Sequence, residues 1–199
     1  MSDSTVGYAR EAPELLRAYE TISVEALHRP IWHLIPTVPS QLLDIGAGTG
    51  RDAAHFAAMG HRVLAVEPVA EMREGGRTLH PSPRVEWLAD TLPALARVRD
   101  RGETFDAVLA TAVWMHLDEA ERAEAMPTVA SLVKPGGVLI LSLRHGPIPP
   151  GRRMFEVSAD ETIALAARDG LGCLVNTLTP SMWASRTDVT WTRLAFRKA

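Results

Sequence analysis

The sequence predicts an α/β fold in which helices cover both faces of a seven-stranded, mostly parallel sheet. Three observations predict it. From residue 41 onward, short apolar runs alternate with segments of helical spacing, as in successive βαβ units. A glycine-rich turn follows the first of these runs, where a buried strand would be followed by a helix. The last two runs are joined by a link too short for a helical crossover, which indicates that one of them runs antiparallel.

Two helical segments precede the sheet. Apolar residues recur at helical spacing within residues 12–20 and 22–34, and the second pattern stops before the prolines that follow it. These segments lie outside the alternating part of the chain. We therefore expect one domain over residues 1–199, with residues 1–40 as a helical addition or lid and residues 41–199 as the core.

The core elements are expected to alternate in chain order. Asp118 precedes Glu121 by three residues and Ser158 precedes Glu161 by the same interval, and this spacing is the signature of a capping box at the start of a helix. We expect strands over residues 41–45, 62–67, 84–88, 105–111, 137–143, 172–179 and 187–196, and helices over residues 50–59, 69–79, 118–132 and 158–169.

Composition places the chain among ordinary globular proteins. Of its 199 residues, 46% are apolar and 23% are charged, which is sufficient for one complete core. A formal net charge of −3 argues against a nucleic-acid partner, because nucleic-acid-binding proteins usually present a basic face. No apolar run reaches the ~20 residues of a membrane span, and the first residues lack a signal-peptide pattern. We therefore expect a cytoplasmic protein that binds neither nucleic acid nor a membrane.

Cysteine and metal-ligand patterns add little. Cys173 is the only cysteine, so no disulfide framework can form and a reducing compartment is expected. We expect its side chain to be a small buried apolar group in a late strand. No cluster of His, Asp and Cys has metal-ligand spacing, so no metal is expected.

The segment Gln41–Gly50 is the most informative part of the chain. Its apolar residues read as a buried strand, and the glycines that follow would bring backbone close to a ligand at the start of the next helix. Glu67 stands at the end of the second strand, 21 residues after Gly46. At that spacing a carboxylate can bond the hydroxyls of a ribose whose other end rests on the glycine turn.

The phase of the glycines separates two kinds of nucleotide. A dinucleotide site uses G-x-G-x-x-G, in which the third glycine lets helix and strand pack closely. Here Gly46, Gly48 and Gly50 follow the pattern G-x-G-x-G, and Arg51 stands where the dinucleotide pattern needs glycine or alanine. The pattern therefore disfavours a nicotinamide cofactor.

The form D-x-G-x-G-x-G from Asp44 to Gly50, together with Glu67-Pro68, resembles motifs I and II of the class I S-adenosylmethionine-dependent methyltransferases. Three later segments resemble the same family in its usual order: Ala89–Leu92, Phe105–Leu117 and Leu132–Leu141. The resemblance covers roughly residues 40–145. It implies a Rossmann-like sheet with strand order 3-2-1-4-5-7-6 and an antiparallel last strand.

The resemblance implies S-adenosylmethionine as cofactor and S-adenosylhomocysteine as product. The turn would approach the methionine half, with Asp44 orienting it or reaching the amino group, while Glu67 would accept the ribose hydroxyls. Asp90 would accept the adenine amino group, although it also suits the N-cap of a short helix. Arg51 would meet the methionine carboxylate or form a surface ion pair. The implied cofactor residues are Asp44, Gly46, Ala47, Gly48, Gly50, Arg51, Glu67, Pro68, Asp90, Thr91, Leu92, Ala110 and Thr111.

Residues for the methyl acceptor are harder to assign. Methyl transfer chiefly needs alignment of a nucleophile and exclusion of water, and a general base is optional. His116 and His145 are the candidate bases, and the competing interpretation of each is structural. The remaining candidates are Arg144, Arg152 and Arg153, which would pair with an anionic acceptor or form a solvated loop, and Tyr19, His28 and Trp114, which would contact the acceptor or pack the core.

A small metabolite is the expected acceptor. The Asn-Pro-Pro-Tyr motif of enzymes that methylate DNA or protein amides is absent after the fourth strand, where Ala112–Met115 stands instead. Two other functions stay open. The chain could be a catalytically silent S-adenosylmethionine-binding module, and a nicotinamide-dependent oxidoreductase has the same architecture.

Overall fold

The protein is described by a computed structural model that covers residue 5 and residues 7–199. In this part of the chain seven strands form one sheet in the order β3-β2-β1-β4-β5-β7-β6. β7 runs antiparallel to both of its neighbours, and the other pairs are parallel. The predicted fold class and strand order are confirmed. The strands are β1 (Gln41–Ile45), β2 (Arg62–Val66), β3 (Val85–Leu88), β4 (Phe105–Ala110), β5 (Val133–His145), β6 (Leu171–Pro180) and β7 (Thr190–Lys198).

The helices agree with the sequence except near the N-terminus and in one short turn. The expected helix over residues 22–34 is divided, because Pro30 lacks the N–H that would continue an α-helix, and a 3₁₀ segment follows over Arg29–Leu34. Other 3₁₀ turns lie at Tyr19–Thr21 and Trp114–His116. The α-helices are α1 (Tyr8–Ala18), α2 (Val24–His28), α3 (Arg51–Ala58), α4 (Ala70–Leu79), α5 (Ala96–Arg99), α6 (Glu119–Leu132) and α7 (Ala159–Arg168).

The sheet is buried on both faces, as a parallel sheet requires. Leu43 of β1 packs with Phe105 and Trp114 in the cluster on one face. Its neighbour Leu42 packs with Phe56 of α3 on the other face, where Ile31 from the N-terminal addition also lies. The N-terminal addition therefore contributes part of the core.

Two expectations about side chains need correction. Cys173 is exposed rather than buried, because β6 is the edge strand and bonds only β7 on its inner side. Ser158 caps α7 by accepting from the Glu161 N–H at 3.1 Å, but the Glu161 carboxylate bonds Arg122 instead of closing the box. The box at Asp118 and Glu121 is complete.

The register between β1 and β2 brings the ends of these two strands together at one edge of the sheet. Ile45 pairs with Val66, so the residues that follow them leave β1 and β2 side by side. The Val66 carbonyl accepts N–H bonds from Gly46 at 2.8 Å and Ala47 at 2.9 Å. The glycine turn is thereby held against the end of β2. Among the described residues, no helix is long and apolar enough to span a membrane.

A buried ion pair between α6 and α7 gives a test of the fold. Arg122 bonds both oxygens of Glu161, at 2.7 and 3.1 Å, and the Leu117 carbonyl at 2.6 Å. Glu161→Gln leaves the buried guanidinium without its counter-charge, and we expect a loss of about 3 kcal/mol in the free energy of unfolding. Urea denaturation measures it, with the exposed Glu119→Gln as the matched control. Equal stability of the two variants would contradict the assignment.

Candidate functional site

A cavity of about 330 Å³ lies beyond the carboxyl ends of the parallel strands, closed on one side by α1. Its volume falls within the range of small-molecule sites, ~300–1,000 Å³. Ligands of open α/β sheets bind at this edge. Fifteen of the residues that the sequence indicates line it: Tyr19, Asp44, Gly46, Ala47, Gly48, Arg51, Glu67, Pro68, Asp90, Thr91, Leu92, Thr111, His116, Arg144 and Arg152.

Glu67 connects the end of β2 to the glycine turn. One carboxylate oxygen accepts from the Gly48 N–H at 2.8 Å, and the other accepts from the Val69 N–H at 2.9 Å. Burial raises the pKa of Glu67, and these two N–H donors oppose the shift. The carboxylate therefore holds the turn in place while it faces the cavity.

The three glycines of the turn are needed for different reasons. All three have positive φ, between 58° and 77°. A Cβ at Gly46 would collide with Val113 Cγ2, and a Cβ at Gly50 would lie 2.6 Å from a Trp87 ring atom. At Gly48 the nearest atom is 3.9 Å away. Packing thus requires Gly46 and Gly50, whereas Gly48 leaves free space on the cavity wall.

A buried polar network lies beneath the turn. Asp52 accepts from Arg51 Nε at 2.8 Å, and its other oxygen lies 2.7 Å from His28 Nε2. Burial raises the pKa of Asp52, but the charges and hydrogen bonds of His28 and Arg51 lower it below its usual range. Arg51 also donates to the Tyr19 carbonyl at 3.1 Å. The network fixes the start of α3 and the 3₁₀ turn above it.

Asp44 faces the same network without joining it. Its Oδ2 is buried and has no hydrogen-bond partner among the described residues. Burial, followed by the negative charge of Asp52, raises the pKa of Asp44 well above its usual value. An unpaired buried carboxylate oxygen on a cavity wall is suited to a donor from a bound molecule.

Asp90 is engaged by backbone. Its Oδ1 accepts from the Thr91 N–H and its Oδ2 from the Val98 N–H, both at 2.9 Å. Asp90 is therefore not the N-cap of α5, which is Leu95, but it accepts an N–H of the first turn of that helix and also lines the cavity.

His116 forms a pair with Tyr8 across the cavity wall. The Nδ1 atom lies 2.8 Å from the Arg153 carbonyl and the Nε2 atom 3.0 Å from the Tyr8 hydroxyl. Because a carbonyl can only accept, Nδ1 carries the proton and Nε2 accepts from the phenol. Burial lowers the pKa of His116; the hydrogen bond to the Arg153 carbonyl opposes this shift, and the charges of Arg152 and Arg153 add to it. The environment therefore favours the neutral imidazole, with its basic nitrogen toward Tyr8.

Six predicted residues do not line the cavity. Gly50 packs on Trp87, and His28 bonds Asp52. Ala110 and Trp114 have no exposed surface and belong to the core.

Two predicted residues of the loop after β5 also lie elsewhere. His145 lies on the opposite face of β5 from Arg144, and its Nε2 is 2.8 Å from Thr192 Oγ1. Arg153 donates to the His116 carbonyl at 2.7 Å and to Glu121 at 2.8 Å, which anchors the loop.

The structure adds residues that the sequence analysis did not select. Ser142, Trp191 and Arg193 line the cavity, as do Tyr8 and Arg186. In β5 the available signal was the alternation of Ser142 and Arg144 with leucines, whereas β7 shows no such alternation around Trp191 and Arg193. Among the described residues, no group of three His, Cys, Asp or Glu side chains could hold a metal ion.

Residues 43–141 match the family model described as a methyltransferase domain. The chain is 33% identical over 107 residues to an uncharacterized methyltransferase of Mycobacterium tuberculosis, a match over 53% of this chain and 40% of that protein. It is 27% identical over 135 residues to the glycine N-methyltransferase of Mus musculus, a match over 58% of this chain and 46% of that protein. The chain thus spans less than half the length of these curated relatives.

A solved structure shares the fold over nearly the whole chain. It is the 1,6-didemethyltoxoflavin-N1-methyltransferase of Burkholderia thailandensis, with bound 1,6-didemethyltoxoflavin and S-adenosylhomocysteine. The TM-score is 0.67 at 22% identity, and the match covers 97% of this chain and 79% of that one. This likeness shows the common architecture.

The residues of the cavity fit S-adenosylmethionine. Gly48 lines the cavity, where a Cβ would meet its nearest neighbour, Met72 Cε, at 3.9 Å, and the Glu67 carboxylate bonds the Gly48 N–H with acceptor capacity beyond its two N–H bonds. The unpaired Asp44 oxygen is suited to the ammonium of the methionine half. The glycine turn and the unpaired Asp44 oxygen therefore provide groups for the methionine half of S-adenosylmethionine. The Glu67 carboxylate provides an acceptor for the ribose of the other half.

Removal of the Glu67 carboxylate tests this site. Glu67→Ala frees the Gly48 N–H and removes the acceptor for two hydroxyls, which we expect to weaken S-adenosylhomocysteine binding by about 1.5–3 kcal/mol. Isothermal titration calorimetry measures the affinity, with the exposed α4 residue Glu71→Ala as control. Unchanged affinity in a folded Glu67→Ala protein would place the ribose elsewhere.

A pair of glycine variants separates backbone strain from loss of space. Gly48 and Gly102 have similar positive φ, 58° and 65°, so alanine at either strains the backbone by about 1–2 kcal/mol. Only Gly48→Ala places a methyl group in the cavity, since Gly102 lies outside it and a Cβ added there would have no atom within 4 Å. We expect both variants to lose stability and Gly48→Ala alone to lose S-adenosylhomocysteine binding. Equal binding by the two would show that the turn holds no ligand.

Proposed function

We propose that this chain, which belongs to the class I S-adenosylmethionine-dependent methyltransferases, transfers a methyl group from S-adenosylmethionine to a nucleophilic atom of a small-molecule acceptor by in-line displacement. S-adenosylmethionine is the cofactor and S-adenosylhomocysteine the product. The observation that carries the proposal is the cavity itself, in which the turn held by Glu67 lies on one side and the Tyr8–His116 pair on the other.

A small acceptor is supported by the shape of the site and by the similar proteins. Tyr8, Glu11 and Leu15 of α1 line the cavity, which supports a lid formed by α1 over the core. Glycine is the acceptor named for the mouse relative, and the Burkholderia structure holds 1,6-didemethyltoxoflavin. Arg144 on the cavity wall favours an acceptor with an anionic group, whereas Arg152 already pairs with Glu11.

The protein's contribution to the reaction is alignment, exclusion of water and proton removal. The bound cofactor supplies an electrophilic methyl group on a sulfonium, so the chain's own residues need only present the nucleophile and dispose of its proton. Burial raises the pKa of Tyr8, and the phenol stays protonated at neutral pH. Its Oη accepts the acceptor's proton as its own proton passes to His116 Nε2, and the Arg153 carbonyl stabilises the resulting imidazolium through Nδ1–H.

Two substitutions test the Tyr8–His116 pair. His116→Gln removes the proton acceptor, and Tyr8→Phe removes the hydroxyl while retaining the ring that packs 3.9 Å beneath Arg152. We expect both to lower kcat by about 10²-fold or more with unchanged S-adenosylhomocysteine affinity. In the wild type, activity should fall on acidification only below the pH range in which an ordinary histidine titrates, because burial lowers the pKa of His116 and the base must be neutral. If neither substitution changes kcat, the protein acts only by positioning the acceptor and the cofactor.

Turnover tests the function itself. The protein is incubated with S-adenosylmethionine and fractionated small-metabolite pools, and S-adenosylhomocysteine is measured by mass spectrometry; we expect one fraction to stimulate its formation. Binding of S-adenosylhomocysteine without turnover in any fraction would favour a silent binding module. A thermal shift with NAD and none with S-adenosylmethionine would favour an oxidoreductase.

A further inference from the structure

Arg193 is a buried guanidinium that forms no ion pair within the described part of the chain. It lies on β7, lines the cavity and is 4% exposed. Its one hydrogen bond runs from Nε to Thr179 Oγ1 at 3.4 Å, so Nη1 and Nη2 have no hydrogen-bond partner among the described residues. Burial lowers the pKa of Arg193 to about 10, against an attraction from Asp52. Asp52 is already bonded to His28 and Arg51.

Other buried arginines show what this environment normally requires. Arg122 is equally buried, and it has a carboxylate on two nitrogens and a carbonyl on the third. Arg152 pairs with Glu11 at 2.5 Å. Arg144, 9% exposed and also on the cavity wall, resembles Arg193: among the described residues it donates to the Gly146 carbonyl at 3.2 Å and forms no ion pair, although Asp188 attracts it from a distance. A buried cation that lacks a counter-charge is unfavourable unless a bound anion supplies it.

Strand register brings Arg144 and Arg193, the two arginines without an ion pair among the described residues that line the cavity, close together. Ser142 of β5 faces Arg193 of β7, and Arg144 faces Trp191. Both pairs lie on one face of the sheet, and Arg144 and Arg193 are diagonal neighbours about 7–8 Å apart at Cα. Arginine side chains span such a distance, so both guanidinium groups can bond one anionic group.

The position of the pair assigns this anion to the acceptor. β7 is three strands away from β1, about 14 Å across the sheet. Glu67, at the tip of β2, lies one strand farther still. The methionine carboxylate of the cofactor belongs beside the turn after β1, whereas Arg144 and Arg193 extend from the strands on the other side of the cavity. Arg144 lies near Tyr8, and Arg193 reaches closer to the turn, since Asp52 attracts it.

Aromatic side chains line the cavity beside Arg193 and also nearer the glycine turn, where Tyr19 Cδ2 lies 4.0 Å from the position of a Cβ on Gly48. The Arg193 guanidinium lies 5.4 Å from the Trp191 ring centroid, and Trp183 stacks on Tyr19 with 6.1 Å between ring centroids. All three aromatic residues line the cavity. Flat apolar faces beside cationic groups suit a planar molecule that carries an acidic substituent.

We propose that Arg144 and Arg193 form an anion-binding subsite that holds the carboxylate or phosphate group of an aromatic acceptor. The proposal rests on the proposed function and specifies its substrate class. It assigns anion recognition to the paired strands β5 and β7, and not to the loop that contains Arg152 and Arg153, whose guanidinium groups already bond Glu11 and Glu121.

Probe molecules of matched shape test the subsite. Thermal shifts are measured on the full chain saturated with S-adenosylhomocysteine, with benzoate and phenyl phosphate as anionic probes and benzamide as the neutral isostere. We expect a rise in Tm with at least one anion and none with benzamide. In Arg193→Met and Arg144→Met the apparent Kd for that anion should rise at least about tenfold, while the response to S-adenosylhomocysteine stays. Arg197→Met, an exposed arginine of the same strand, is the control and should bind the anion normally.

The other outcomes overturn one proposal or the other. No response to S-adenosylhomocysteine refutes the proposed function. A normal thermal shift with S-adenosylhomocysteine, but none with either anion, refutes the anion-binding subsite and leaves the proposed function standing. If Arg193→Met and Arg144→Met lose S-adenosylhomocysteine binding but keep the anion response, the arginines bind the cofactor. If Arg197→Met weakens anion binding as much as they do, the effect is one of surface charge. If circular dichroism shows that Arg193→Met does not fold, the anion affinity of Arg144→Met tests the subsite instead.

Discussion

The site depends on one carboxylate that bonds two backbone N–H groups. Glu67 holds the Gly48 N–H and the Val69 N–H at once, so it joins the turn after β1 to the segment after β2. The turn has three residues with positive φ and few side chains of its own to fix it. Without the Glu67 carboxylate, the Gly48 N–H would have to be satisfied by solvent or ligand. The same carboxylate thus shapes the turn and forms part of the cavity wall.

Much of this arrangement could be predicted from the sequence, because its determinants are local. The turn, the position of Glu67 and the alternation of strands and helices follow from spacing within about thirty residues. Gly48 and Gly50 nevertheless look alike in the sequence. Only the positions of Trp87 and Met72 show that one glycine accommodates a neighbouring ring and the other adjoins open space.

The acceptor side could not be predicted in the same way, because it is assembled from distant parts of the chain. The Tyr8–His116 pair joins residues 108 positions apart, and Arg193 reaches the cavity through the antiparallel register of β7. Short-range signals favoured Arg153 and Trp114, which respectively anchor a loop and fill the core. Residues near a motif were thus easier to select than residues brought there by packing.

The roof of the cavity links entry of the acceptor to the chemistry. Tyr8 and Glu11 both belong to α1, and their partners His116 and Arg152 lie on the opposite wall. An outward movement of α1 would separate both pairs together, so the imidazole would lose the phenol as water entered. Under the proposed mechanism such an open form could not remove the acceptor's proton, and the closure that restored proton removal would also expel solvent.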